Sequence, residues 1–321
     1  MLTPAAYLMD FLDCGEPAVW VCVERSAGSV PREAGTTMIV TATNTLGTIG
    51  GGHLELRSIE VARELLAMGT TTATRRHFPL GPALGQCCGG SVDVAFLPTT
   101  QAHRDSLRQL RIVEAGGGTF LVERRLDTGD MLKLPIHFDP WTIWVFGAGH
   151  VGAALVTVLS ALPCSVIWVD SRDATFPKVF PENVRAIESD EPATEVRHIP
   201  AGADVLVLTH SHALDLEICL ELLRRDDLPY CGLIGSATKA TIFGKRFAAR
   251  GFSGTEIARI TCPIGLPALA SKHPGVIAVS VAADLAEKRE KLERRRTTAQ
   301  ASHDMSRIYV TEQETEGNTG E

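Results

Sequence analysis

The sequence predicts an α/β fold in two parts, a mixed α/β domain followed by a doubly wound parallel sheet. Three observations carry this reading. The 321 residues are 45% hydrophobic and 21% charged, an ordinary globular composition long enough for two cores. From Trp141 onward, apolar runs at 143–146, 165–169, 204–208 and 228–234 alternate with helical segments, as strands covered on both faces by crossover helices require. Before Trp141 short strand-like runs are separated by turns rich in Gly, Ser and Pro and joined with helical segments in a small α/β unit, and the period changes at Trp141.

In chain order, residues 18–23 and 37–40 read as short strands around a turn at 26–35. Gly50-Gly51-Gly52 precedes a helix over about 54–68, in which Leu56, Ile59, Ala62 and Leu66 recur at helical spacing and Glu55 lies in the first turn. A Gly-rich loop at 81–90 carries Cys87 and Cys88 and leads into a strand at 91–97, then a helix at about 101–115. Residues 119–123 and 131–136 form a hairpin around Asp127-Thr128-Gly129-Asp130, and 137–140 make a hinge. Helices near 238–250 and 276–292 finish the second domain. The divisions expected are 1–137, 138–292 and a polar, mobile tail over 293–321.

Gly147-Ala148-Gly149-His150-Val151-Gly152 follows the apolar run 141–146 and opens an apolar helix, while Asp170 closes the next apolar run about twenty residues on. This is a dinucleotide-binding fingerprint in its required context, so the second domain is expected to be Rossmann-like. The first glycine permits the tight turn, the second lets backbone approach a phosphate, and the third lets helix and strand pack closely. Unpaired N–H groups at the helix start then hold negative charge. Asp170 suits a ribose hydroxyl and Arg172 suits a phosphate, so the identity of the ligand stays open.

A net charge of −7 and the lack of a basic stripe argue against nucleic acid as partner. No apolar run approaches the roughly 20 residues of a membrane span, and residues 1–18 do not read as a signal peptide. Eight cysteines without a C-x-x-C pair suit reduced thiols in the cytoplasm.

His210 and His212 follow a strand directly and so belong at the carboxyl edge of the sheet; ligand contact is weighed there against capping of the next helix. Cys231 and Cys262 read first as packing and as a fixed loop. Gly50-Gly51-Gly52 makes a second potential anion cradle, a ligand-free turn being an equal reading. Adjacent Cys87 and Cys88 on a Gly-rich loop are soft sulfurs that suit a soft metal or sulfur chemistry. A nucleophilic thiol there would want an orienting histidine, for which His53 and His77 are available.

Taken in order, the segments 47–55, 86–90, 146–152, 170–172, 209–212, 232–236 and 263–266 closely resemble the XdhC family of xanthine dehydrogenase accessory proteins. The resemblance implies a binding chaperone, not an enzyme. Such a protein would carry the molybdenum cofactor (molybdopterin), support its sulfuration by a cysteine desulfurase, and insert it into the molybdenum-binding subunit of xanthine dehydrogenase, acting as a homodimer. The cofactor-binding residues expected are Cys87, Cys88, Gly50, Gly51, Gly52, Gly147, Gly149, His150, Gly152, Asp170, Arg172, His210 and His212, with no catalytic residue and with metal ligands left open. An NAD(P)-dependent oxidoreductase, with His150 or His212 as proton donor, is the rival from another class. A nucleotide-sensing module is the third.

Overall fold

The computed structural model describes residues 3–80, 89–172, 176–300 and 309–311. The chain divides into two compact units, one over Leu2–Pro140 with the strand Tyr309–Thr311, the other over Trp141–Asp304.

The first unit is built on a five-stranded antiparallel sheet. Ala18–Ala27 (β1) lies at its centre between Thr37–Thr41 (β2) and Ser91–Thr99 (β5); Thr45–Gly47 (β3) and Thr74–Pro79 (β4) form its edges. The unbroken apolar run 18–23 follows from this position, because β1 is buried on both faces. Val19, Val21 and Val23 face the helix Gly52–Ala67 (α2), with its Leu54, Ala62 and Leu65. Trp20 and Cys22 face the other layer, made by Pro4–Cys14 (α1), Arg104–Gly116 (α3) and the hairpin Gly118–Arg125 (β6) and Met131–Phe138 (β7). The helix α1 has ordinary start and stop signals: Thr3 caps it, Pro4 opens it, and Gly15 closes it at a φ of 70°.

The second unit is a six-stranded parallel sheet in the order β10-β9-β8-β11-β12-β13. Its strands are Thr142–Phe146 (β8), Ser165–Asp170 (β9), Val184–Glu188 (β10), Asp204–Val207 (β11), Tyr230–Leu233 (β12) and Ile260–Thr261 (β13). On one face lie His150–Leu159 (α4) and Pro274–Gln300 (α8), joined through Leu155, Leu159, Val281 and Leu285. On the other lie His212–Leu223 (α5) and Ala237–Ala248 (α6), joined through Ile218, Leu222, Phe243 and Phe247. A short helix, Gly254–Ile257 (α7), precedes β13. This is the expected Rossmann-like fold, with chain order reversing between β8 and β11.

The C-terminal end departs from expectation. The helix α8 runs through Gln300 instead of stopping at 292, and Tyr309–Thr311 (β14) pairs in parallel with β6. Residues 276–300 contain no Gly or Pro, and Lys, Glu and Arg are good helix formers whatever their polarity. Pairs at helical spacing support the helix, Glu287 with Lys291 on the exposed face and the buried Asp284 with Lys288 at its margin. Helix-forming composition thus carries the helix past its apolar part.

Candidate functional site

The Gly147 turn lies at the carboxyl end of β8, beside the reversal of chain order. Gly147 takes a φ of +119°, and a Cβ there would lie 2.2 Å from the Leu208 carbonyl oxygen. A Cβ at Gly152 would lie 2.0 Å from the Gly147 carbonyl oxygen, so the helix leaves no room there either. Gly149 differs, since a Cβ would meet nothing within 4 Å among the described residues. Gly149 is the N-cap residue of α4, which has no side-chain cap and no acid in its first turn. The turn is thus closed behind and open in front. Unpaired N–H groups at such a helix start carry roughly half a positive charge, which suits a phosphate.

Asp170 and Arg172 are brought to this turn and to each other. The buried Asp170 carboxylate accepts from Ala148 N and from the Arg172 backbone N–H at 3.0 Å, and the guanidinium adds two bonds at 2.9 Å. Burial pushes the Asp170 carboxyl up, but the Arg172 guanidinium and the two backbone donors outweigh it and hold it below the usual carboxylate range. Asp170 therefore serves as a strut of the turn, with both oxygens engaged. His150, His210 and His212 are exposed at the same carboxyl edge, His210 one residue beyond Thr209, whose Cα would be 3.0 Å from a Cβ on Gly147.

A buried network in this edge was not read from the sequence. Asp215, wholly buried in α5, accepts from Thr209 N at 3.0 Å and from Thr209 Oγ1 at 2.7 Å. Lys239 of α6 donates to Asp215 at 2.6 Å and to the Ile234 carbonyl at 2.8 Å. The pair ties the ends of β11 and β12 together and fixes the loop that presents His210 and His212. Asp215 and Lys239 are separated by a helix and a strand, and no spacing rule joins them.

In the first unit, the turn at Gly50-Gly51-Gly52 does not present a free cradle. Glu55 Oε2 accepts from Ile49 N at 3.1 Å, from Gly51 N at 3.0 Å and from Thr48 Oγ1. The anion in this cradle is the chain's own, and any other would have to displace it. Of the two histidines, His77 Nδ1 is held by Asp93 at 2.6 Å, whereas both ring nitrogens of His53 are buried without a hydrogen-bond partner among the described residues. Cys87 and Cys88 lie outside the described residues. Burial raises the thiols of Cys164 and Cys231 to about 12 and that of Cys219 as well, so these are protonated packing groups. Among the described residues no group of three or more His, Cys, Asp or Glu is arranged to hold a metal ion, and no helix is long and apolar enough to cross a membrane.

A family profile described as the XdhC Rossmann domain matches residues 143–285, and one described as the XdhC and CoxI family matches residues 11–78. The chain belongs to the XdhC family. It is similar to the uncharacterized protein YqeB of Escherichia coli strain K12, at 22% identity over 263 residues and 81% of this chain. The matched chain spans 41% of that relative's length. A crystal structure described as a xanthine dehydrogenase from Bacillus halodurans aligns with 89% of this chain and 96% of its own, at a TM-score of 0.71 and 20% identity, which is a likeness of fold.

Proposed function

We propose that this protein binds the molybdenum cofactor (molybdopterin), shields it while a cysteine desulfurase supplies the terminal sulfido ligand, and inserts it into the molybdenum-binding subunit of xanthine dehydrogenase. It works in the cytoplasm as a homodimer and delivers its cargo without turning it over. The observation that carries this reading is the uncapped start of α4 with open space in front of Gly149, a grip for the cofactor's phosphate. His150, His210 and His212 stand exposed at that edge and are assigned to the cargo's polar groups. Cys87 and Cys88 are assigned to molybdenum or its sulfur, because the described thiols of the second domain other than Cys262 are buried and protonated.

The rival, an NAD(P)-dependent oxidoreductase, needs the Asp170 carboxylate for a ribose diol. Here Arg172 and Ala148 already use both of its oxygens, which leaves a ribose diol without that acceptor. The test is the molybdenum and pterin content of protein purified from cells that make the cofactor. Wild type should retain both, whereas Gly149→Asp and the double Cys87→Ser, Cys88→Ser variant should lose at least tenfold and fail to reactivate apo xanthine dehydrogenase. Retention unchanged in both variants, or NADH binding in place of cofactor, would sink the proposal.

A further inference from the structure

In the first unit, α1 and α2 both end at a cavity of about 310 Å³. The wall takes Leu12 and Gly15 to Pro17 from the end of α1, and Leu66 with Gly69 to Thr71 from the end of α2. The start of β1 and the end of β5, paired as Ala18 with Thr99, supply the rest. Small-molecule sites run from roughly 300 to 1,000 Å³, so this one has room for a short ligand or a single long side chain.

All the charge that the chain brings to this wall is negative. Glu16 is the charged residue of the lining, which contains no Lys, Arg or His. Its half-buried side chain has no hydrogen bond or ion pair among the described residues. Two helix C-termini add to it, each carrying roughly half a negative charge on its last carbonyls. The caps consume part of this, since Gly15 N and Glu16 N bond back to Leu12 O and Phe11 O, and Gly69 N and Thr70 N to Leu66 O and Leu65 O. The carbonyls of Asp13, Cys14 and Ala67 lie outside these bonds. The hydroxyls of Thr70 and Thr71, also without a partner among the described residues, are further acceptors.

These groups select the ligand's charge. An anion would be repelled by Glu16 and by both helix ends, and a purely apolar guest would strip water from the carboxylate and give it no partner. A cation is attracted by all three. The rest of the lining, with Leu12, Pro17, Ala18, Leu66 and Pro98, is aliphatic and contains no aromatic ring. It therefore offers no stacking face for a guanidinium and no cage for a quaternary ammonium. A primary ammonium is compact and has three donors for acceptors that come from different directions, and its aliphatic stem suits the apolar part of the wall.

We infer that the cavity at the ends of α1 and α2 binds a primary ammonium group on an aliphatic stem, carried either by a free alkylamine or by a lysine side chain of a protein partner. Glu16 is its counter-ion. The inference stands on the first unit alone and uses none of the groups assigned to the cofactor.

The test is calorimetric titration of the full chain with hexylamine, with hexan-1-ol as its neutral isostere, and with a short blocked peptide of one lysine between glycines. Two variants accompany it. Glu16→Gln removes the charge and keeps the shape, while Thr71→Lys brings a tethered ammonium from an exposed position, where folding should survive. Wild type should bind hexylamine or the peptide with a Kd of roughly 1 mM or tighter, and hexanol at least tenfold more weakly. Each variant should weaken the amine at least fivefold, and Glu16→Gln should leave hexanol unchanged. Hexylamine bound more tightly than the peptide supports the site with a free amine as ligand, and the reverse order supports it with a partner's lysine. Equal affinity for amine and alcohol, amine binding indifferent to both variants, or no binding of either amine probe up to roughly 10 mM would overturn the inference.

Discussion

Two turns in this molecule share one pattern, glycines followed directly by a helix, and they come to opposite ends. Before α4, the Gly147 turn leaves the helix start uncapped with open space in front of Gly149. Before α2, the Gly50 turn has its N–H groups held by Glu55, four residues into the helix. The same backbone charge is thus offered outward in one turn and consumed inward in the other. Glycines before a helix predict an anion; whether the anion is a ligand depends on whether the first turn already supplies a carboxylate.

The hardest way to break the comparison is to add one methyl group to each turn. Gly147→Ala drives a Cβ to 2.2 Å from a carbonyl oxygen at a φ of +119°, whereas Gly51→Ala at a φ of +71° meets nothing within 4 Å. The first should cost on the order of 4 kcal/mol, from clash and strain together, and the second about 1–3 kcal/mol from strain alone, since its ψ of −168° puts it where essentially only glycine is found. Urea unfolding of both variants checks this, and equal losses would mean that the Gly147 turn is not closed from behind.

Next in size is Asp170→Asn, which removes the strut of the Gly147 turn. The carboxylate is buried and takes charge-assisted bonds, so the loss at pH 7 should be about 1–3 kcal/mol. Its folded-state value lies below the ordinary range, so its stabilisation is present above the unfolded value near pH 4 and lost as pH falls through the folded one. The gap between variant and wild type should therefore be full at neutral pH and close below about pH 4. A gap that widened on acidification would contradict the assigned bonds.

These cases also show what could be read in advance. The β1 run 18–23 and the strands before Phe146 and Asp170 were legible because burial on both faces writes continuous apolar stretches. The edge strands β4 and β10 were not, because Arg75, Arg76 and His77 in one, and Arg185 and Glu188 in the other, interrupt any run. The fingerprint turn was readable from local spacing alone. Glu55 was visible in the first turn of α2, but its grip on Ile49 and Gly51 appears only once the loop is folded over it. The Asp215–Lys239 pair has no local trace, since its partners meet only when two helices return to one sheet edge.

Emptying the filled turn sharpens the comparison at smaller cost. Glu55→Ala should lose about 1–2 kcal/mol, because Ile49 N and Gly51 N lose their acceptor. The freed cradle should then take an anion from solution. Added sulfate should raise the melting temperature of Glu55→Ala more than that of wild type, and an equal response would mean that Glu55 is not what occupies the turn.

Filling the open turn is the mirror experiment and should have the smallest effect on stability. Gly149 is the N-cap of α4, has a φ of −76° and has free space where a side chain would go, so Asp and Asn both fit there and both cap helices well. Each should change stability by a few tenths of a kcal/mol, in the favourable direction. Their effects on the cargo should separate: Asp places a carboxylate where the phosphate belongs, as Glu55 does in the other turn, while Asn occupies the space without charge. Cofactor retention should fall at least tenfold with Asp and only a few-fold with Asn. Equal losses would make the turn a steric fit with no electrostatic selection, and the contrast with the Gly50 turn would lose its meaning.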